Sequence, residues 1–228
     1  MFLAGCGLPD AWAGRRRFVV AELGFGTGLN ILALLQLWRA RRPPQGRLQI
    51  VSVEAYPLSR AEAERALSAW PELADLAAPL LARWPEAWGG RRIEWAEVDA
   101  TLDVMVGDAL ETVLGWDGRA DAWFLDGFSP AKNPEMWSER LLAEVAARSA
   151  PAARLATFTV AGSVRRGLEA AGFTVERRPG HGRKRQRLEA RLRAPPPVAP
   201  SIWSARPGPR GGEVAVVGGG VAAAALVR

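Results

Sequence analysis

The sequence predicts an α/β fold built on an open, mostly parallel sheet, and three observations carry that expectation. Residues 18–21, Phe-Val-Val-Ala, form a short apolar strand that passes through three closely spaced glycines into a helix at 31–41, with apolar residues at Ile31, Leu34, Leu35 and Trp38. A second apolar run, 48–53, follows that helix and ends on the acidic Glu54. Strand and helix patterns keep alternating as far as residue 192, as crossover connections between parallel strands require.

In chain order, Phe2-Leu3-Ala4 reads as a short strand leaving through a Gly5-Cys6-Gly7 turn. Arg15-Arg16-Arg17 leads into the first core strand, whose glycine turn is Glu22-Leu23-Gly24-Phe25-Gly26-Thr27-Gly28-Leu29-Asn30. Glycine permits positive φ at such a junction, leaves room for a ligand, and lets the first helical turn present free N–H groups. The register separates two cofactor classes. In G-x-G-x-x-G or G-x-G-x-x-A counted from Gly24, the last position falls on Leu29, so the dinucleotide fingerprint does not fit. The pattern is instead E-x-G-x-G-x-G, similar to that of S-adenosylmethionine-dependent methyltransferases, and Glu22 suits the cationic end of that cofactor. Gly24, Phe25, Gly26, Thr27, Gly28 and Asn30 complete the expected cradle. Glu54, at the end of the second strand, is placed to accept hydrogen bonds from ribose hydroxyls.

Ser59-Arg60-Ala61-Glu62 is a capping box that starts a helix running to about Trp70. A second helix is expected over 72–88, broken by Pro79 and Pro85 and closed by Gly89-Gly90. Residues 92–98 and 102–106 alternate as extended segments, joined as a hairpin through Asp99-Ala100. Asp108 with Glu111 marks another helix start, and that strand end also faces the adenine side of an adenosine site. Residues 121–134 read Asp-Ala-Trp-Phe-Leu-Asp-Gly-Phe-Ser-Pro-Ala-Lys-Asn-Pro, a buried strand ending on Asp126 and an irregular segment beyond it. Functional groups of open α/β sheets sit beyond the carboxyl ends of strands. A carboxylate there can orient an attacking amine and accept its proton, so Asp126 is the candidate catalytic residue, with Phe128, Pro130 and Lys132 on the substrate side.

A helical region from Asn133-Pro134 through Ala146 follows, then a strand at 154–160. Gly162-Ser163 caps a helix at 164–171, and Gly172 ends it. A strand at 173–176, a basic loop at 177–185 and a last strand at 186–192 complete the pattern. Residues 165–193 hold ten basic and three acidic residues, a local charge of +7 against +6 for the whole chain. Positive charge concentrated in this way favours a polyanionic partner, with Arg183, Lys184 and Arg185 as phosphate contacts. A single cysteine, Cys6, and a single histidine, His181, exclude an internal disulfide and argue against a Cys- or His-based metal site. No apolar run reaches the roughly 20 residues needed to cross a bilayer, and the N-terminus lacks a signal-peptide layout, so a cytoplasmic address is expected.

Residues 194–212 read as a Pro/Gly-rich linker, and 213–228 open a second strand–glycine–helix unit. Gly218, Gly220 and Ala223 fit G-x-G-x-x-A, similar to the start of an FAD-binding domain, but the sequence stops at Arg228 before any second strand.

The residues Phe2 to Gly5, Glu22 to Asn30, Val53 to Leu58, Asp121 to Trp137, Ala156 to Thr159 and Gly180 to Arg185 together resemble the methyltransferase domain of the bifunctional tRNA 5-methylaminomethyl-2-thiouridine biosynthesis proteins. The resemblance spans nearly all of residues 1–193. It implies a Rossmann-like class I fold, a seven-stranded and mostly parallel sheet with an antiparallel last strand, and methyl transfer from S-adenosylmethionine to the aminomethyl nitrogen of a wobble uridine in tRNA. It also implies a further N-terminal segment in family members, and an FAD-dependent oxidoreductase domain beyond the linker that only a full-length protein would carry. A monomer, tRNA as the partner and no metal or membrane partner are expected. An oxidoreductase fragment and a catalytically inactive tRNA-binding fragment are the competing readings.

Overall fold

The structure is a computed structural model that describes residues 1–84, 92–180 and 186–193. They belong to one compact unit, Met1–Pro196; the other, Pro197–Arg228, lies outside the described residues, as do the expected 194–212 linker and the Gly218, Gly220 and Ala223 turn.

Period-2 alternation in the first strand explains why the sheet is covered on both sides. In β1 (Arg17–Leu23), Phe18 and Val20 face one apolar layer while Val19, Ala21 and Leu23 face another. The first layer is closed by α2 (Leu29–Arg41), which buries Ile31, Leu32, Leu34, Leu35 and Trp38, together with α3 (Arg60–Leu67) and α4 (Ala74–Ala82). The second is closed by α5 (Ala109–Gly115), α6 (Glu139–Ala147) and α7 (Gly162–Ala170). The remaining strands are β2 (Arg47–Glu54), β3 (Arg92–Trp95), β4 (Ala100–Val106), β5 (Ala120–Leu125), β6 (Ser149–Thr157), β7 (Phe173–Pro179) and β8 (Gln186–Leu192). Among the described residues they form one sheet in the order β3-β4-β2-β1-β5-β6-β8-β7. Pairing is parallel from β4 through β2, β1 and β5 to β6. It is antiparallel where β8 meets β6 and β7, and where β3 meets β4. The chain order changes direction at β1, so the crevice above β1 and β5 is the topological switch point.

Several expectations shift. The sheet has eight strands where seven were expected, because β3 pairs along β4 as an extra edge. Its hairpin turns through a 3₁₀ turn at Ala96–Val98 and Asp99 in the left-handed region, not through Asp99-Ala100 alone. Phe2-Leu3-Ala4 is not a strand: α1 (Phe2–Gly5) is a single helical turn, closed by the N–H groups of Gly5 and Cys6 on the carbonyls of Met1 and Phe2. Burial of Phe2 against Phe124, with ring centroids 5.6 Å apart, holds it there. The Ser59/Glu62 capping box is present, but α3 stops at Leu67 instead of near Trp70, and α4 begins at Ala74 after a 3₁₀ turn at Pro71–Leu73. Pro79 sits inside α4, whereas Pro85, Gly89 and Gly90 lie outside the described residues. The strand expected at 154–160 runs instead from Ser149 to Thr157. The α7 N-cap is Ala161, with no side-chain bond, so Gly162-Ser163 does not cap it. Arg177, Arg178 and Pro179 belong to β7 rather than to a loop, and His181 lies outside the described residues.

Candidate functional site

Three neighbouring strands end on polar residues of the same face, the face that α2 covers. In β1 the apolar alternation Phe18, Val20 continues to Glu22, and in β2 Leu48, Ile50 continues to Ser52. In β5 Ala122, Phe124 continues to Asp126, the first residue past the strand. Glu22 and Ser52 are register partners. Asn30, in the first turn of α2, reaches down into this row. Its side-chain nitrogen donates to Glu22 Oε1 at 3.0 Å and to Asp126 Oδ2 at 2.8 Å, while Ser52 Oγ donates to Glu22 Oε2 at 2.7 Å. The four side chains thus make one continuous hydrogen-bonded chain across β2, β1, α2 and β5.

The glycine turn is shaped by the same crowding. Gly24, with φ of 93°, packs so closely on the loop after β5 that a Cβ there would meet the Asp126 carbonyl oxygen at 2.3 Å. Gly28 is the α2 N-cap in the left-handed region, and a Cβ on it would meet Leu80 at 2.9 Å. Gly26 is different: it is exposed, its φ is 52°, and a Cβ would find nothing within 4 Å. Phe25 turns inward, its ring 5.4 Å from that of Trp84, so only its backbone borders the crevice. Thr27 is half-buried beside it. Glu54 bridges the turn to the β2 end, with Oε2 accepting from Gly26 N–H and Oε1 from Tyr56 N–H, both at 3.0 Å. Each carboxylate oxygen retains a second acceptor site for a ribose hydroxyl. Asp108 caps α5 by accepting from the N–H groups of Leu110 and Glu111, both through Oδ1.

Electrostatically the row is asymmetric. Glu22 is inaccessible to solvent, and burial pushes its carboxyl up from 4.5 to about 8; the hydrogen bonds from Ser52 and Asn30 pull it down, and the nearby Asp126 and Glu54 carboxylates raise it further. Its two carboxyl oxygens accept from Asn30 and Ser52. Asp126 is half-buried at the crevice.

On the substrate side, Phe128 is 68% exposed and its carbonyl accepts from the indole N–H of Trp137 at 2.8 Å. Pro130 is half-buried, and Lys132 is exposed in the turn that follows. Arg183, Lys184 and Arg185 lie outside the described residues. Sequence reasoning missed Ser52, Tyr56 and Val106. Ser52 was detectable as a polar residue where the alternation Leu48, Ile50 calls for an apolar one. Tyr56, 84% exposed, and Val106, 43% exposed, stand with Phe128 at the ends of β2, β4 and β5, an apolar rim that periodicity alone does not reveal. Two clefts lie away from this crevice. One, of about 420 Å³, includes Arg154, Arg178, Arg191 and Arg193 on the β6-β8-β7 end of the sheet; the other, of about 390 Å³, lies below β1, β2 and β4 near Arg17 and Arg47. Switch-point topology and convergent polar groups, rather than concavity, therefore locate the candidate site. Among the described residues there is no cluster of three metal-ligating side chains, and no helix is long and apolar enough to cross a membrane.

Residues 71–193 match a family described as S-adenosyl-L-methionine-dependent methyltransferase. The chain is 60% identical over 234 residues to a tRNA 5-methylaminomethyl-2-thiouridine biosynthesis bifunctional protein MnmC of Caulobacter sp. (strain K31), covering 100% of this chain and 37% of that protein. It is 51% identical over 209 residues to the protein of the same name from Pseudomonas paraeruginosa, covering 90% of this chain and 32% of the relative. The chain thus spans about a third of the length of these curated relatives. Among solved structures it is similar to MnmC2 from Aquifex aeolicus, with a TM-score of 0.66 and 29% identity over 85% of this chain and 59% of that one. A spermidine synthase in complex with the transition-state analogue AdoDATO shares the fold at a TM-score of 0.52 and 9% identity, over 86% of this chain and 61% of the other.

Proposed function

Because the chain belongs to the family of S-adenosyl-L-methionine-dependent methyltransferases, we propose that it methylates the aminomethyl nitrogen of 5-aminomethyl-2-thiouridine at the wobble position of tRNA. The supporting observation is Asp126, held by Asn30 at the end of β5 and in backbone contact with the Gly24 turn. The donor set fits the cofactor: an open, exposed glycine at Gly26, an oriented carboxylate at Glu54 for the ribose, and the α5 N-cap at Asp108 on the adenine side. Bound there, S-adenosylmethionine supplies an electrophilic methyl group on a sulfonium.

The chain's own residues then have three tasks. The Gly24–Gly28 turn, Glu54 and Asp108 fix the donor, Phe128 and Pro130 shape a pocket for the uracil ring, and Asp126 aligns the amine. The neutral amine forms the new N–C bond with its lone pair as the S–CH₃ bond breaks toward sulfur, leaving a thioether. The proton released from nitrogen passes to Asp126 or through it to water. No covalent enzyme intermediate is required, so alignment of nitrogen, carbon and sulfur carries most of the rate. Positive charge in β7 and β8 and at Arg183, Lys184 and Arg185 holds the tRNA backbone. The reaction is assigned to a monomer in the cytoplasm.

The test is transfer of labelled methyl from S-adenosylmethionine to tRNA carrying the aminomethyl uridine. Asp126→Asn should lower kcat about 100-fold, the lower part of the range for loss of a proton-accepting group. Full activity in that variant would remove Asp126 from the mechanism. Thermal stabilisation by FAD and not by S-adenosylhomocysteine would overturn the assignment as a whole.

A further inference from the structure

We propose that Asn30 is a positioning residue for Asp126, its side-chain nitrogen tying the Asp126 carboxyl to the buried Glu22 so that the group keeps one orientation at the crevice. The inference rests on the functional reading above and adds to it a device that the glycine-turn pattern does not disclose. By its place in that pattern Asn30 is expected to touch the cofactor. In the structure the nitrogen of its side chain is committed to two carboxyl groups, Glu22 Oε1 at 3.0 Å and Asp126 Oδ2 at 2.8 Å. The amide is oriented with its nitrogen toward both carboxyl groups, one N–H donor for each. Both N–H donors are therefore spent inward.

Each link of the chain is itself held. Glu22 sits on β1 with no solvent exposure, and its second oxygen accepts from Ser52 Oγ at 2.7 Å. Ser52 is equally buried on β2 and is the register partner of Glu22. Asn30 is in the first turn of a helix anchored by five buried side chains. Asp126, by contrast, is the first residue of an irregular loop, and its backbone N–H on the Leu23 carbonyl fixes its main chain but not its side chain. A side chain at a loop start gains orientation from a partner that is carried on a rigid element. The charges are compatible with one amide serving both carboxyls. The groups facing Glu22 from its surroundings are Ser52, Asn30, Asp126 and Glu54, with no cation among those that shift it, and burial favours its neutral form, which lessens the repulsion between the two carboxyl groups that share the amide.

A positioning role and a cofactor contact predict different kinetics. Asn30→Ala and Asn30→Ser are compared with wild type for kcat in methyl transfer to the aminomethyl-uridine tRNA, and for Kd of S-adenosylhomocysteine by calorimetry. Positioning predicts that kcat falls 10- to 100-fold while Kd moves less than about threefold, the scale on which partners that orient a functional group act. Asn30→Asp, which replaces the donor with a third carboxyl, should lose more kcat than Asn30→Ala. Ser52→Ala, remote from ligand, should lower kcat about threefold to tenfold at unchanged Kd, and it decides the matter if the Asn30 variants do not fold. Unchanged kcat, or a rise in Kd that accounts for the whole loss, overturns the positioning role alone. A wild-type chain that moves no methyl group to this tRNA overturns the functional reading and the positioning role with it.

Discussion

Glu22 is a carboxyl with no access to water, and that fixes the sign of its effect on stability. Burial raises it from 4.5 to about 8, so the folded state keeps a proton that the unfolded chain releases. Its contribution is complete below about pH 4.5 and is lost as pH rises through 8. Glu22→Gln preserves size and hydrogen-bonding reach without titrating. The wild type should lose on the order of 3 kcal/mol more than the variant between pH 5.5 and 8.5, read from urea unfolding at both pH values. Identical pH dependence in the two proteins would mean that Glu22 is ionised in the fold. The glycines make a second contrast at this scale. Gly24→Ala combines a φ of 93° with a methyl 2.3 Å from the Asp126 carbonyl oxygen, and should cost about 3 kcal/mol or more. Gly26→Ala meets open space at a φ of 52° and should cost only about 1 kcal/mol, its main effect being weaker S-adenosylhomocysteine binding as the methyl enters the crevice. Calorimetry and thermal melts on the pair would show the reversal, or its absence.

Among the elements, helices and strands hold the site from below, and indoles hold its loops from the side. Trp84, at the end of α4, donates to the Leu58 carbonyl at 2.7 Å, and Trp137 to the Phe128 carbonyl at 2.8 Å. Trp137 also stands edge-on to Phe158, with centroids 6.1 Å apart. Trp137→Phe keeps most of the apolar body and removes the donor, so it should cost about 1 kcal/mol of stability. Because the freed segment carries Phe128, KM for tRNA should rise while Kd for S-adenosylhomocysteine stays fixed; equal losses of both would show that the indole supports the whole domain instead. Much at this scale was legible in the sequence. Strand alternation places Phe18 and Val20, Leu48 and Ile50, and Ala122 and Phe124 on one face, and the next residue in each series is Glu22, Ser52 or Asp126. What was not legible depends on contacts with main-chain atoms far away or on local closure. The indole partners are carbonyls of other loops, and α1 is helical because Phe2 finds Phe124, neither of which leaves a periodic trace.

For the molecule as a whole, the parallel centre of the sheet serves the crevice, and the antiparallel end formed by β6, β8 and β7 carries much of the positive charge. The alternation of strands and helices and the hairpin that pairs β3 with β4 were readable from the residues, whereas the spatial strand order that sets the switch point was expected only from the resemblance, because chain order alone does not say which parallel strands are neighbours. On the charged end, Arg154 and Arg191 are direct cross-strand neighbours in register, an arrangement that is unfavourable for like charges unless an anion lies over them. Arg178 lines the same cleft of about 420 Å³, with Glu176 and Glu189 as its ion-pair partners. A polyanion that tracks this face would release counterions for each phosphate neutralised, so affinity should fall linearly in log–log coordinates with added salt. Charge reversal at both Arg178 and Arg191 removes two such contacts. The slope of log K against log salt should then flatten by about 1.5, at roughly 0.7 to 0.9 per phosphate, with tRNA bound more weakly at every salt concentration below the crossing point. S-adenosylhomocysteine, which the proposed cradle at Glu54 and the glycine turn would hold over β1 and β2, three or more strands away from β8 and β7, should bind the double variant as it binds the wild type. An unaltered slope would move the tRNA off this face and leave the segment around Arg183, Lys184 and Arg185 as its remaining basic anchor.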